Sequence, residues 1–129
     1  MIVDTSALMA ILKREPEAES FALLMTRESV ALSAATLTEA YIVAGVQVGA
    51  PALAEVDALL WSADAEVIPV DEAQARLAGD AYLRFGRGSG SRARLNYGDC
   101  FSYALAISRD QPLLFKGDDF AHTDVRRVE

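Results

Sequence analysis

Four short apolar runs punctuate the chain: Met1–Val3, Val30–Leu32, Val67–Val70 and Pro112–Phe115, with helical patterns in the gaps between them. Each run is too short for a helix and rich in strand-forming residues, so each reads as a buried strand. Strands that alternate with helices are joined by crossovers, which predicts a mainly parallel sheet covered by helices on both faces. Right-handed crossovers bring the strand tips and the helix starts that follow them to one edge. With a short edge strand from Thr123 to Val128 added, the prediction is an α/β/α sandwich with a four- to five-stranded sheet.

The helices are expected over Ala7–Leu12, Pro16–Met25, Ala35–Gln47, from Pro51 through Trp61, Glu72–Phe85 and Tyr97–Ser108. Their limits come from Pro at first turns, from Gly49 and Pro51 as stops, and from Asp71 as a cap for the fifth. Thr5 and Ser6 offer hydroxyls that can cap the first. The Gly86–Arg92 run reads as a flexible loop rather than a domain linker, because the core pattern resumes at once. A chain of 129 residues fits a single domain over 1–129, large enough to bury roughly two-thirds of its unfolded surface.

Composition removes several function classes. The hydrophobic share is 52%, yet no apolar run approaches the ~20 residues that span a bilayer, so the excess is available for a partner interface. The first residues lack the basic start of a secretory signal, and the single cysteine, Cys100, has no second thiol for a disulfide or a metal pair; both point to the cytoplasm. Cys100 reads as an inert helix-face thiol. A net charge of −7 and a pI near 4.6 argue against bulk electrostatic binding of nucleic acid. Locally the sign reverses: Arg84, Arg87, Arg92 and Arg94 share one short segment with no acid among them, and Lys116 lies beside a later acidic pair.

The acids are informative by position. Asp4 follows the first strand, Glu39 sits in the first turns of the helix after the second, Asp99 opens the helix before the fourth, and Asp118 follows the fourth. All four are expected at the carboxyl edge of the sheet. Gly98 lets another segment approach the start of the Asp99 helix. Taken singly, each acid has an ordinary explanation: a helix cap for Asp4 and Asp99, an arginine partner for Glu39, a turn former for Asp118. Jointly these explanations weaken, because no basic residue lies near Glu39 or Asp99 in sequence and an unpaired buried carboxylate costs several kcal/mol.

Clustered carboxylates raise one another's pKa unless a cation compensates, and an all-oxygen set calls for Mg²⁺ or Mn²⁺. No Cys/His set exists for zinc. The lone histidine, His122, reads as a solvent-exposed or interface residue rather than a general base. A divalent ion held by acids beside arginines suits phosphodiester hydrolysis, with a water acidified for attack and charge stabilised on the leaving oxygen. Arginines of the loop are placed to hold substrate phosphates; their alternative role is plain solubility.

The segments Met1-Ile2-Val3-Asp4-Thr5-Ser6-Ala7-Leu8, Leu37-Thr38-Glu39-Ala40, Leu95 through Ala104, and Leu114-Phe115-Lys116-Gly117-Asp118-Asp119-Phe120 resemble the successive acidic motifs of PIN-domain ribonucleases, in wording similar to VapC-type toxins of toxin–antitoxin pairs. The resemblance covers nearly the whole chain in order. It implies a Mg²⁺- or Mn²⁺-dependent endoribonuclease with an RNA substrate, a homodimer, and inhibition by a small cognate antitoxin that offers a basic side chain to the acidic pocket. By position it makes Asp4 and Asp99 the principal metal ligands, with Glu39 and Asp118 completing the pocket, Ser6 a supporting hydroxyl, and Asp119 an alternative to Asp118. Arg87, Arg92, Arg94 and Lys116 become the candidate substrate-binding residues. Two other classes stay open at this point: a phosphoryl-transfer or receiver-type domain with acids at a parallel-sheet edge, and a non-catalytic module whose acids dock a basic peptide.

Overall fold

Ile2 and Val3 are completely buried and form β1 (Ile2–Val3), the strand around which the sheet is ordered. The others are β2 (Ala31–Ser33), β3 (Glu66–Ile68) and β4 (Leu113–Leu114), all parallel, in the order β3-β2-β1-β4. Ile2 stands opposite Ala31 on one side and Leu113 on the other. The Asp4 N–H donates to Leu114 O at 3.0 Å, so the central ladder runs up to the first acid. This computed structural model describes residues 1–128.

Six helices cover the sheet: α1 (Thr5–Leu12), α2 (Ala18–Arg27), α3 (Ala34–Gln47), α4 (Ala52–Ser62), α5 (Glu72–Phe85) and α6 (Tyr97–Ser108). Successive strand residues point to opposite faces, and the core divides accordingly. Val3, Leu32 and Leu114 pack with Leu8, Met25, Val56 and Leu60 of α1, α2 and α4, together with Ala40 and Ala44 of α3. Ile2, Ala31, Ile68 and Leu113 pack with Ala78, Ala81, Tyr103 and Leu105 of α5 and α6. The result is the α/β/α sandwich expected from the alternation of strand and helix.

Two expectations about the elements need correction. Thr123 to Val128 adds no fifth strand; it contributes one bridge, Arg127 to Leu113, with hydrogen bonds from Leu113 N to Arg126 O (2.8 Å) and from Val128 N to Leu113 O (3.1 Å). Asp124, Arg126 and Arg127 are exposed, which leaves too little apolar surface to extend the pairing. The second helix starts at Ala18 rather than Pro16, with Glu17 at its cap position and no side-chain cap bond. Among the described residues, no helix is long and apolar enough to cross a membrane.

Candidate active site

Asp4 ends β1 and caps α1. Its Oδ2 accepts from Ser6 N (3.0 Å) and Ser6 Oγ (2.7 Å), and its Oδ1 accepts from Ser102 Oγ (2.6 Å). The capping role and a role in the acidic pocket therefore coexist in one side chain, and the first helix is capped by Asp4 rather than by the Thr5 or Ser6 hydroxyls. Those hydroxyls work elsewhere. Thr5 Oγ1 donates to Glu39 Oε1 (2.5 Å), and Ser6 Oγ accepts from Lys116 N (3.0 Å).

Asp99 opens α6 in a capping box: its N–H donates to Asn96 Oδ1 (2.8 Å), and its Oδ2 accepts from Asn96 N (2.9 Å). Asp4 is 2% and Asp99 6% exposed, so both are carboxylates removed from water. Burial, opposed by the Asn96 hydrogen bond and reinforced by the charges of Asp4, Asp119 and Glu39, pushes the Asp99 carboxyl up to about 8. The Glu39 carboxyl is also raised, chiefly by burial, with the Thr5 hydrogen bond opposing and the Asp4 charge adding.

Glu39 reaches this place because Gly98 has no side chain. A Cβ on Gly98 would overlap the Glu39 carboxylate, so the close approach that a glycine permits at the start of α6 is filled by the acid of α3. On the opposite side, Gly117 adopts φ 100°, a backbone state that favours glycine, and the chain turns there into Asp118 and Asp119. Asp118 is exposed and Asp119 half-buried. Of the two, Asp119 is the one whose charge bears on Asp99.

The arginines form the rim. Arg87 and Arg94 line a pocket with Asp119, and Arg92 and Arg94 line another with Asp118, Asp119 and His122. All three arginines and His122 are exposed. Among the described residues, Arg87, Arg92 and Arg94 form no salt bridge, whereas Arg84 pairs with Asp80 on its own helix at 3.7 Å. Lys116 is placed differently from the expectation: its ammonium is held by Glu15 and, at 2.9 Å, by Glu17, two acids of the α1–α2 connection. Cys100 is buried and its thiol is pushed up to about 11 by burial and the Asp99 charge, in keeping with an inert thiol.

The PIN domain profile matches residues 1–126 of the chain. Ribonuclease VapC28 of Mycobacterium tuberculosis is 52% identical over 129 residues, which span 99% of this chain and 97% of that protein. The chain belongs to the PIN-domain family of VapC ribonucleases. Two solved structures share its fold at low identity. One is Mycobacterium tuberculosis VapC20, a Sarcin-Ricin loop cleaving toxin, with TM-score 0.80, 18% identity, and coverage of 99% of this chain and 98% of that one. The other is VapBC2 from Rickettsia felis bound to a DNA fragment from their promoter, with TM-score 0.74, 15% identity, and coverage of 99% and 96%.

In this PIN domain the acids share a pocket at charge-coupling range rather than ligand range: among the described residues, no three His, Cys, Asp or Glu side chains close round one point. The donor set nevertheless fits a hard divalent ion. It is all oxygen, its two most buried members are adjacent enough for one charge to raise the other's pKa, and the one lysine at the turn is neutralised by Glu15 and Glu17. Positive charge brought to the pocket would oppose both the burial and the like charges that raise the Asp99 carboxyl.

Three hydroxyl residues of the site were not foreseen from the sequence: Thr5, Thr36 and Ser102. Ser102 and Thr36 carried a readable signal, since Ser102 follows Asp99 and Thr36 precedes Glu39 by three residues, and each pair shares a helix face.

Proposed function

We propose that this chain is a Mg²⁺- or Mn²⁺-dependent endoribonuclease of the cytoplasm, the toxin of a type II toxin–antitoxin pair. The observation that carries the reading is the burial of Asp4 and Asp99 side by side at the carboxyl edge, with Glu39 and Asp119 adding charge to the same pocket. Asp4 and Asp99 would hold the ion. The chemistry such an ion supplies is Lewis acidity, acidifying a water and neutralising charge at the scissile phosphate.

The chain's own groups do the rest. Glu39 Oε1 is fixed by Thr5, which leaves Oε2, lying against Gly98, to orient the attacking water and take its proton; burial raises the proton affinity of this carboxyl, the direction that favours a base. Asp119 extends the negative pocket, with Asp118 on its exposed side. Arg87, Arg92 and Arg94, free of ion pairs among the described residues, grip the phosphates flanking the cut, bidentate where geometry allows. Lys116 contributes through its backbone N–H, which holds Ser6 Oγ against Asp4.

Neutralisation by a small antitoxin with a basic side chain suits this acidic pocket, and exposed Ile42, Val46, Trp61, Leu83 and Tyr97 supply apolar area for the antitoxin and for a homodimer. The receiver-type alternative finds little support, because Asp71, the acid that follows β3, lies three residues beyond the strand's end, is exposed, and is not among the charges that bear on Asp99. The test is cleavage of a structured RNA by the purified chain with Mg²⁺, with chelator, and with Asp4→Asn or Asp99→Asn. Cleavage is expected only for the unsubstituted protein with metal; cleavage that survives both substitutions would overturn the assignment.

A further inference from the structure

Ser102 and Thr36 are 0% and 1% exposed, and their hydroxyls meet across the gap between α6 and α3 at 3.0 Å. Ser102 Oγ also lies 2.6 Å from Asp4 Oδ1. A carboxylate oxygen only accepts, so Ser102 gives its single proton to Asp4 and Thr36 must be the donor between the two hydroxyls. The chain of bonds is therefore directional, Thr36 Oγ1 to Ser102 Oγ to Asp4 Oδ1.

A carboxylate has about four acceptor directions. Ser6 N and Ser6 Oγ occupy both on Oδ2, and Ser102 occupies one on Oδ1. The direction left for a ligand is on Oδ1, the atom that Ser102 holds. The geometry points to Ser102, backed by Thr36, as a positioning residue that fixes the rotation of the Asp4 carboxylate for ligation of a hard divalent cation; this rests on the metal-holding role proposed for Asp4. Outer hydrogen-bond partners of metal ligands typically contribute about 10–100-fold to metal affinity, and here the partner is fully buried and hydrogen-bonded on both sides. The Ser102–Asp4 bond also ties α6 to the end of β1, one helical turn beyond Asp99.

The probe is Mn²⁺ binding by calorimetry on the full chain, with the melting temperature of the metal-free protein measured in parallel. Ser102→Ala is expected to weaken Mn²⁺ binding about tenfold while leaving the melting temperature of the metal-free protein close to that of the unsubstituted chain. A lowered melting temperature with unchanged Mn²⁺ affinity would reduce Ser102 to a structural residue and overturn the inference. If Ser102→Ala does not stay folded, Thr36→Val breaks the same chain one link back; about a threefold weakening is expected as a fraction of the same effect, and unchanged affinity again overturns it. Asp4→Asn alone separates the two proposals: if it leaves Mn²⁺ binding intact the metal-site reading fails, whereas its loss beside an unaffected Ser102→Ala defeats only the positioning role.

Discussion

The floor and the rim of the pocket are built in different ways. On the floor, Asp4 and Asp99 are fixed by local backbone chemistry, a cap at the end of β1 and a capping box at the start of α6, and Glu39 by the Thr5 hydroxyl and its approach over Gly98. On the rim, Arg87, Arg92, Arg94 and Asp118 are exposed on loops, although Arg94 at φ 57° is anchored between the buried Ala93 and Leu95. Precision is therefore concentrated where protons and charge are handled, and adaptability where a polymeric substrate must be accommodated. Substitutions on the floor should act on kcat, those on the rim on KM and salt dependence.

The largest effect is expected from Asp4→Asn and Asp99→Asn. Each should lower single-turnover RNA cleavage by about 10³-fold, the scale of losing a principal electrostatic element of a site. Asp99→Asn should at the same time hold or raise the metal-free melting temperature, because the amide removes a buried carboxyl from a field of like charge; a large fall in melting temperature would mean that the capping box outweighs the repulsion. Next comes Gly98→Ala. Its Cβ would displace the Glu39 carboxylate, and a misplacement on the ångström scale costs about 10²-fold in rate, with about 1–3 kcal/mol of stability lost to overpacking. Full activity in this variant would remove Glu39 from the floor.

A smaller effect concerns pH. Asp99 has an ordinary value of 3.8 and is raised to about 8 in the folded chain, so between these values the native state keeps a proton that the unfolded state has released. Its contribution is fully present below pH 3.8 and lost as pH rises through about 8, so metal-free stability should decline across that window. Mg²⁺ should raise the melting temperature more at pH 8 than at pH 5, since ligation needs the deprotonated carboxylate. A Mg²⁺ shift independent of pH would detach Asp99 from the ion. The smallest single effects belong to the rim: Arg87→Ala, Arg92→Ala or Arg94→Ala should each raise KM severalfold and reduce the salt slope of RNA binding by roughly one phosphate contact. Were kcat to fall instead, the division between floor and rim would be wrong.

Much of this arrangement can be read in the sequence, for identifiable reasons. α5 and α6 occupy the predicted spans because Asp71 and Asn96 sit where caps belong and fix the first turn. The parallel sheet and the edge shared by the acids follow from the alternation of strand and helix and its crossovers, whereas the order β3-β2-β1-β4 is seen only in the fold. Very short strands are less legible: β3 is Glu66–Ile68 rather than Val67–Val70, since Pro69 cannot donate to a ladder. Lys116 looked like a substrate contact because it stands next to Asp118 and Asp119, yet Glu15 and Glu17, a hundred residues away in the chain, capture it. The same limit hid Thr5, Thr36 and Ser102. Helical spacing puts Ser102 on the face of Asp99 and Thr36 on that of Glu39, but which group each hydroxyl bonds is set by tertiary approach. Whether Asp118 or Asp119 faces the other acids likewise depends on the turn at Gly117 rather than on composition.

The central claim is that Asp4 and Asp99 jointly hold one divalent ion. Crystals grown with Mn²⁺ and measured at the manganese absorption edge test it directly. The expected result is an anomalous peak within coordination distance of an oxygen of each, absent from crystals of Asp99→Asn. A manganese peak bound elsewhere, or none in the pocket at saturating Mn²⁺, would contradict it.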